Sequence, residues 1–407
     1  MAHSRQLREV LVRVLLLGGS GRYGSMAARH LATSETISEV AIAGRSRDAL
    51  TCVASEIGEK ARAVQVDIHD EPGLASVATD YDIVVNAAGP EWEVLLPGLR
   101  AAIAARTNYC DLGADGRTAE KQLELDPMAR DRGIVAVVGI GFDPGLDNLL
   151  AVHASRRFDR VEVVEFRFHL ALPDELLVEA IDGLRASGRV DPSWQLVLQI
   201  ASGPVRVYRD GRWMEVEPLQ DPVEIMLPQG GTVSAHPVAM PEPITLPRYL
   251  PGVQSVRSVL GVSPPQVAQL LFGEAEAISR GERSTAEATR SFLEAIATDP
   301  GRWLGTTDLT AGAEGWSMSL VATGWKDRRQ ARLTCRPDPL LESTTIPLTV
   351  AAVRILRGEV PARGVLPPEA CFEPMPFFEE AARYAEQEEQ GEHRDEPLVR
   401  GSFEWLS

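Results

Sequence analysis

The sequence predicts an α/β protein in which a doubly wound parallel sheet precedes a domain with a mostly antiparallel sheet. Over residues 1–150, short apolar runs alternate with amphipathic stretches at helical spacing, which is typical of parallel strands joined by helices. Over residues 151–343, polar and apolar positions alternate between turn residues, which is typical of antiparallel strands. The 407 residues suffice for two or three domains of about 100–200 residues each.

The first third of the chain predicts strands that alternate with helices. The predicted strands are "VRVLLLGG", "EVAIAGR", "ARAVQVDI", "YDIVVNAAGP", "NYCDLG" and "IVAVVGIG". Helical patterns lie between them, as in "SMAARHLATS", where Met26, Ala27, His30 and Leu31 share one side. Right-handed crossovers join parallel strands of this kind, so the pattern predicts a doubly wound sheet.

Beyond Leu150 the pattern changes. The run "VEVVEFRFHLAL" alternates as a half-exposed strand does, and "GPVRVYRDGRWMEVEP" predicts a hairpin around Asp210 and Gly211. A helix is predicted at "PQVAQLLFGEAEAIS", and the proline-rich "GTVSAHPVAMPEPITLPRYLPG" is interpreted as an extended loop. Residues 344–385 are predicted to be helical. Residues 386–407 form an acidic tail, expected to be mobile apart from a contact through Phe403, Trp405 and Leu406.

Composition and charge limit the possible functions. The formal charge is −17, from 41 basic and 58 acidic side chains, which disfavours binding to nucleic acid or to an anionic membrane. The four cysteines are scattered without paired spacing and the histidines form no metal-spaced set, so no disulfide frame and no metal site are expected. Because no apolar run reaches the roughly 20 residues of a membrane span, a cytoplasmic protein is predicted.

A glycine motif opens the first predicted helix. Gly19, Ser20, Gly21, Arg22, Tyr23 and Gly24 spell GxGxxG directly after a strand, as dinucleotide binding requires. We expect Gly19 to permit the tight turn, Gly21 to admit the pyrophosphate and Gly24 to allow close helix packing. Free amides at the helix N-terminus would then bind phosphate oxygens. The alternative is a glycine-rich turn without a ligand.

The second strand indicates which cofactor is preferred. An NAD site has an acid near its end, whereas this chain has Arg45, Ser46 and Arg47, which suit the 2′-phosphate of NADPH. Alternatively, the arginines belong to a solvated helix start. Further predicted cofactor contacts are Asp67 and the small residues that follow the fourth strand, namely Asn86, Ala87, Ala88 and Gly89. The alternative role of these small residues is close packing, without contact to the nicotinamide half of the cofactor.

Several blocks of the chain resemble the saccharopine dehydrogenase family, specifically its saccharopine reductase branch. The matching blocks are "VLLLGGSGRYG", "AGRS", "VVNAAGP", "NYCDLGAD", "GIGFDPGLDNLLA", "MPEPITLPR" and "TTIPLTVAAVRILRGE" with "GVLPPEACFEPMPFF". The resemblance implies a Rossmann domain over residues 1–150 and an inserted α+β domain for substrate and dimer contacts over residues 151–343. It also implies that residues 344–385 return to the Rossmann domain, and that the chain forms a homodimer. Members reduce an imine to a secondary amine with a nicotinamide cofactor.

Acidic residues near predicted strand ends are the catalytic candidates. Asp143, Asp111 and Asn148 lie at or just after the carboxyl ends of strands, where doubly wound sheets bind ligands. A carboxylate there can stabilise an iminium ion or relay its proton. The alternatives are an N-cap followed by Pro144 for Asp143, a loop residue for Asp111 and a first-turn surface position for Asn148. Asp147 is interpreted as a partner of the helix dipole.

Substrate carboxylates would need fixed cations, and the candidates are Arg167, Arg206 and Arg248. Each has the alternative of a solvated surface arginine. The sequence therefore predicts an NADPH-dependent oxidoreductase that reduces an imine, formed from an amino-acid-derived amine and a carbonyl compound, or runs the reverse oxidation. The alternatives are an NADPH-dependent enoyl or carbonyl reductase on the same fold, and a non-catalytic NADP-binding scaffold or sensor.

Overall fold

The computed structural model describes residues 12–227, 230–309, 315–389 and 397–406. The strands are β1 (Arg13–Leu17), β2 (Glu39–Gly44), β3 (Ala61–Gln65), β4 (Ile83–Asn86), β5 (Asn108–Asp111), β6 (Val135–Val137), β7 (Arg160–Ala171), β8 (Val205–Arg209), β9 (Arg212–Val216), β10 (Val223–Met226), β11 (Thr232–Pro237), β12 (Ser255–Ser263), β13 (Gly315–Lys326), β14 (Arg329–Pro337), β15 (Gly364–Leu366) and β16 (Val399–Trp405). The helices are α1 (Arg22–Thr33), α2 (Arg47–Ile57), α3 (Glu71–Ala78), α4 (Glu91–Ala105), α5 (Gly116–Leu123), α6 (Asp126–Arg132), α7 (Leu146–Ser155), α8 (Glu175–Ser187), α9 (Pro192–Ile200), α10 (Glu242–Thr245), α11 (Pro265–Ser279), α12 (Thr285–Thr298), α13 (Pro300–Leu304), α14 (Thr345–Leu356), α15 (Pro368–Cys371) and α16 (Pro374–Glu389).

The first sheet is parallel and has seven strands in the order β15-β6-β5-β4-β1-β2-β3. Its central strands are continuous apolar runs because helices cover both faces; Val14, Leu15 and Leu16 of β1 are fully buried. The order of the strands switches sides at β1, which pairs with β2 on one side and β4 on the other. The carboxyl ends of these strands are where ligands bind in such sheets.

The second sheet has nine strands and is mostly antiparallel. Its main path is β10-β11-β12-β7-β13-β14-β16, and the β8–β9 hairpin joins through β12. Only the central pair of β7 and β12 is parallel among the described strands of this sheet. Helices α8, α9, α11 and α12 pack together beside it, with Trp194 stacked on Phe292 at 5.1 Å between ring centroids. The predicted α/β fold class is therefore confirmed.

The chain after the second sheet comes back to the first. Helix α14 packs on α1 and β5, where the hydroxyl of Thr345 lies 3.0 Å from Nδ1 of His30. Strand β15 then pairs with β6 as the seventh parallel strand. The parallel sheet is thus assembled from two widely separated parts of the chain.

One local prediction was wrong and another was incomplete. The proline-rich segment was expected to be an extended loop, but it contains β11, α10 and a 3₁₀ turn over Leu246–Arg248, since proline is well tolerated in a first helical turn. The tail was expected to be mobile apart from a contact through Phe403, Trp405 and Leu406. Residues 390–396 lie outside the described residues, and residues 399–405 form a whole strand, β16, against β14, with Phe403 5.7 Å from Phe158 between ring centroids. This strand covers an edge of β14 that would otherwise be unpaired.

Candidate active site

A cavity of about 910 Å³ lies between the parallel sheet and helices α8 and α9 of the second domain. Its wall on one side is formed by the segments that follow β1, β2 and β4, and on the other by residues from Glu179 to Leu196. This volume falls within the range of small-molecule sites. The cavity therefore occupies the position at which a doubly wound sheet binds its ligand.

The glycine turn forms the start of this wall. Gly18 adopts the left-handed conformation with φ 74°, and the Gly21 amide donates to its carbonyl at 2.9 Å. Gly18 therefore makes the tight turn, whereas the sequence predicted that Gly19 would make it. A Cβ on Gly19 would lie 2.7 Å from Cγ2 of Ile42, so Gly19 permits packing against β2 instead. A Cβ on Gly24 would overlap the Gly18 carbonyl. The missing side chain therefore allows helix α1 to lie close to the turn.

The N-terminus of α1 points its amides at the cavity wall. The first intrahelical bond runs from the Ser25 amide to the Gly21 carbonyl at 2.8 Å, so the amides of Arg22, Tyr23 and Gly24 have no acceptor within the helix. A Cβ on Gly21 would meet only the Gly18 carbonyl oxygen, at 3.2 Å, because the rest of its surroundings is open. Such a cradle of amides and a side-chain-free backbone fits a pyrophosphate group.

The end of β2 supplies basic and polar side chains. Arg45, Ser46 and His69 line the cavity, and the Gln65 side chain donates to the Arg45 carbonyl at 3.0 Å. Arg45 is exposed and forms no ion pair with any described residue. Two predicted contacts, Arg47 and Asp67, are not part of the lining: Arg47 begins α2, and Asp67 accepts from the His69 amide at 3.0 Å.

The loop after β4 forms the middle of the wall through Ala87, Ala88 and Gly89. Asn86 lies beneath this loop and is fully buried. Its side chain donates to the Val94 carbonyl at 3.3 Å and accepts from the Ala88 amide at 3.1 Å. Asn86 therefore shapes the loop and does not reach the cavity, in contrast to the prediction from the sequence.

Helices α8 and α9 close the cavity from the other domain. Arg22 forms an ion pair with Glu179 of α8, and Tyr23 is hydrogen-bonded to Ser193 of α9. Burial raises the pKa of Tyr23, and the nearby carboxylates of Asp143 and Asp191 add to that increase. Helix α1 thus contacts the second domain directly, and the sequence did not predict this contact.

Asp143 lines the same cavity. Its Oδ2 accepts a hydrogen bond of 2.7 Å from the indole Nε1 of Trp316 on β13. Burial, and then the negative charge of Glu242, raise the pKa of Asp143 well above its usual range. The predicted N-cap role is wrong, because residues 141–145 form a tight loop and α7 begins only after Gly145, which has φ 128°.

Behind Asp143 lies a buried cluster of polar side chains. Asp147 accepts from the amides of Gly145 and Asn148 at 2.9 and 2.6 Å, and burial and Glu242 raise its pKa well above normal. Its surroundings therefore favour the neutral form, whereas the sequence indicated a charged partner of the helix dipole. Asn148 is buried, donates to Glu369 at 3.0 Å and does not line the cavity. Burial raises the pKa of Glu369 to about 7.

Asp111 is also buried away from the cavity. Its Oδ1 accepts from the amides of Gly113 and Gly139 at 3.0 and 2.9 Å, and its Oδ2 accepts from Gln122 at 2.6 Å. Burial raises its pKa, although all three donors oppose that change. Asp111 therefore links β5 to the segment after β6 and is not placed for catalysis.

Glu91 is a cavity carboxyl that the sequence analysis missed. It begins α4 directly after Pro90, and its Oε2 accepts from the amides of Ala114 and Asp115 at 2.7 and 2.8 Å. Burial raises its pKa to about 8, with further contributions from the charges of Asp115 and Asp111. Glu91 directly follows "NAAGP" in the sequence. Its position as an acid just after a predicted strand was the signal that could have identified it as a site residue.

The three predicted substrate arginines lie outside this cavity. Arg167 pairs with Glu165 on β7 at 2.6 Å, and Arg206 pairs with Glu120 at 2.7 Å. Arg248 stacks over Trp213 at 5.7 Å from the ring centroid. Arg206 and Arg248 share a separate shallow surface pocket. Each is engaged by protein groups, so none of the three predicted substrate cations lies beside Asp143, and their role in substrate binding stays a prediction.

Two other features bear on function. Within the described part of the chain, no group of three or more histidine, cysteine or acidic side chains is arranged to hold a metal ion. The helices of that part also lack the length and apolar character that a membrane crossing requires.

Comparisons with known proteins agree with this geometry. Residues 14–137 match the family profile described as saccharopine dehydrogenase NADP binding domain. A carboxyaminopropylagmatine dehydrogenase of Synechocystis sp. is 20% identical over 391 residues, which cover 90% of this chain and 94% of that protein. A trans-acting enoyl reductase of Mycobacterium ulcerans is 30% identical over 148 residues, which cover 35% of each chain.

The solved structure of apo saccharopine dehydrogenase (L-Glu forming) from Saccharomyces cerevisiae has the same fold. The TM-score is 0.60 at 17% identity, and the likeness covers 97% of this chain and 100% of that one. The predicted resemblance to the saccharopine dehydrogenase family and the predicted nicotinamide cofactor are thereby confirmed. Over residues 14–137 the chain carries the NADP binding domain of the saccharopine dehydrogenases, and it is an NADP-dependent oxidoreductase.

Proposed function

We propose that the protein reduces an imine, formed from an amino-acid-derived amine and a carbonyl compound, to a secondary amine, or catalyses the reverse oxidation. The observation that carries the proposal is the single cavity that joins the glycine turn to the carboxyl of Asp143. The name of the Synechocystis relative, a dehydrogenase of an amine-derived compound, supports the same chemistry.

The cofactor would lie along the parallel sheet. The amides of Arg22, Tyr23 and Gly24 suit its pyrophosphate, and Arg45 and Ser46 suit the 2′-phosphate of NADPH. When bound, NADPH supplies a hydride, and the protein has to supply orientation, charge and a proton.

Asp143 is the carboxyl that we assign to the reacting nitrogen. An iminium ion beside it would favour the ionised form of Asp143, because an opposite charge within a few ångströms lowers a carboxyl pKa. The resulting carboxylate would stabilise positive charge on that nitrogen in a site that is closed by α8 and α9. The Trp316 hydrogen bond would hold the carboxyl in place. The homodimer inferred from the family resemblance stays a prediction.

A second candidate is the reduction of a C=C bond, favoured by the 30% identity to the trans-acting enoyl reductase over about a third of each chain. The two are separated by following NADPH oxidation with pairs of amines and 2-oxo acids and, in parallel, with a panel of enones. Quenching or a blue shift of NADPH fluorescence, followed by turnover with an amine pair, would support imine reduction. Failure to bind NADPH, or turnover with enones alone, would overturn it.

A further inference from the structure

Glu91 is held in the cavity by the backbone of a neighbouring loop. It is the first residue of α4, at the point where the chain leaves the end of β4. Two amides of the loop after β5, those of Ala114 and Asp115, donate to the same carboxyl oxygen, Oε2. One half of the carboxyl group is thereby fixed, while the residue remains part of the cavity wall.

This arrangement determines which oxygen carries a proton. Burial raises the pKa of Glu91 to about 8, so the group is mostly neutral at pH 7. Oε2 accepts two N–H groups and is unsuited to carry a hydrogen of its own. The proton therefore belongs on Oε1, which makes no hydrogen bond to any group in the described parts of the chain.

The charged groups around Glu91 come from several elements. Asp111 at the end of β5 and Asp115 in the next loop raise its pKa, and Glu93 lies on the same helix. Arg117 of α5 pairs with Asp115, since its guanidinium is 3.2 Å from that carboxylate, and it also donates to the Ser202 carbonyl at 3.0 Å. Because Arg117 is engaged there, acidic neighbours dominate and favour the neutral form of Glu91.

Asp143 and Tyr23 line the same cavity in settings that differ from that of Glu91. One oxygen of Asp143 accepts from Trp316, and burial raises its pKa well above its usual range. Burial also raises the pKa of Tyr23. A general acid works best when its pKa is close to the operating pH, a condition that Glu91 meets with a pKa of about 8.

We propose that Glu91 is the general acid of the reaction, giving its Oε1 proton to the imine nitrogen and recovering it when the amine is oxidised. The inference rests on the proposed function. In reduction, the lone pair of the imine nitrogen takes the Glu91 Oε1 proton, which forms the N–H bond of an iminium ion and leaves the O–H electrons on Glu91. The new C–H bond uses the hydride that bound NADPH would supply on oxidation to NADP⁺, and the C=N π pair becomes the lone pair of the amine. The Glu91 carboxylate stays bound to two amides until solvent reprotonates it.

The decisive variant is Glu91→Gln, matched by Glu93→Gln in the same helix and the same cavity. The glutamine carbonyl can accept from both amides, so the loop stays anchored while the titrating acid is lost. A readout that needs neither cofactor nor substrate is ¹³C NMR of protein labelled at the glutamate carboxyls. We expect one resonance with a midpoint near pH 8 in the wild type and in Glu93→Gln, and its absence in Glu91→Gln.

Kinetics supply the second readout. We expect Glu91→Gln to bind NADPH like the wild type but to reduce the imine about 10²- to 10⁴-fold more slowly. The wild-type rate should fall as pH rises through about 8, where Glu91 loses its proton, and this break should vanish in the variant.

Three results would overturn the assignment. The first is a wild-type spectrum in which no glutamate carboxyl titrates near pH 8. The second is a Glu91→Gln variant that keeps the wild-type rate and pH profile, which removes Glu91 as the acid but leaves imine reduction in place. The third is a wild type that binds NADPH and reduces no imine, which removes the proposed function and this role together.

Discussion

The two halves of the cavity are built in different ways. The half at the glycine turn consists of backbone groups from consecutive residues, with Gly18, Gly21 and Gly24 in one β–α turn. The other half, the inner half, is formed by carboxyl side chains from separate segments: Glu91 follows β4 and Asp143 follows β6. Trp316 of the second domain donates a hydrogen bond to Asp143. A local motif can therefore specify the first half, whereas only the folded chain assembles the second.

The difference also separates binding from chemistry. Backbone amides and missing side chains recognise a phosphate group without titrating. The inner carboxyls have pKa values raised by burial, as is common for groups that exchange protons in active sites. Changes in the first half should therefore alter folding or cofactor affinity, and changes in the second half should alter the rate.

The largest effect on folding stability is expected within the glycine turn, from a matched pair of substitutions. Gly24→Ala would force a methyl group into the Gly18 carbonyl and should lower the free energy of unfolding by about 3 kcal/mol. Gly21→Ala meets only one atom, at 3.2 Å, and should fold normally but lose about 2 kcal/mol of NADPH binding, about 30-fold. Urea unfolding and fluorescence titration measure the two effects. Equal destabilisation by both would contradict the separate roles.

Asp143→Asn tests the inner half. The asparagine oxygen can still accept from Trp316, so the loop should keep its structure while the carboxylate is lost. We expect the turnover number to fall about 10²- to 10³-fold with little change in NADPH affinity. Steady-state rates and the melting temperature provide the measurement and its control. An unchanged turnover number would show that Asp143 does not face the reacting nitrogen.

The buried acids also predict how stability depends on pH. Burial raises the folded-state pKa of Glu91 to about 8 and that of Glu369 to about 7, so the folded protein binds more protons than the unfolded chain between about pH 4.5 and 8. Their contribution to stability is full below that window and is lost as pH rises through it. Each group lowers the free energy of unfolding by up to about 1.4 kcal/mol per pH unit.

Urea unfolding at several pH values measures how the free energy of unfolding declines as pH rises. Glu369→Gln should make that decline shallower. The amide can still accept the hydrogen bond of 3.0 Å from Asn148. A decline of the same slope in the variant would contradict a raised pKa for Glu369.

The smallest effect is expected at the rim of the first half. Arg45→Ala removes an exposed cation that lines the cavity and should weaken NADPH binding about 10-fold while leaving NADH binding unchanged. Arg47→Ala is the matched control, because Arg47 is exposed but lies outside the cavity lining. Titrations with both cofactors make the comparison. Loss of NADPH affinity in Arg47→Ala instead would reverse the two assignments.

The sequence was sufficient for most of the fold because its periodicities are local. Continuous apolar runs such as β1 predict buried parallel strands, and the Asp210-Gly211 turn predicts the β8–β9 hairpin. Strand β16 was missed because residues 399–405 are weakly apolar and gain their order from pairing with β14. The secondary structure within residues 231–252 was missed because proline is common both in loops and in first helical turns.

The site was less predictable, since strand ends identify only where polar residues can act. Asp111 and Asp143 look alike in sequence, yet Asp111 is satisfied by three donors and Asp143 lines the cavity. Arg167 and Arg206 look free in sequence but pair with Glu165 and Glu120. Such distinctions depend on partners far along the chain, which one-dimensional spacing does not contain.

The position of β15 has a consequence for biosynthesis. Six of the seven parallel strands have been made once the ribosome passes Val137, but the seventh, Gly364–Leu366, follows only after β7 to β14 of the second sheet. During translation β6 keeps an unpaired edge for about 230 residues, and such edges are where nascent chains associate wrongly. The cell therefore completes the parallel sheet only after α8 and α9, the helices that line the other side of the cavity, have emerged.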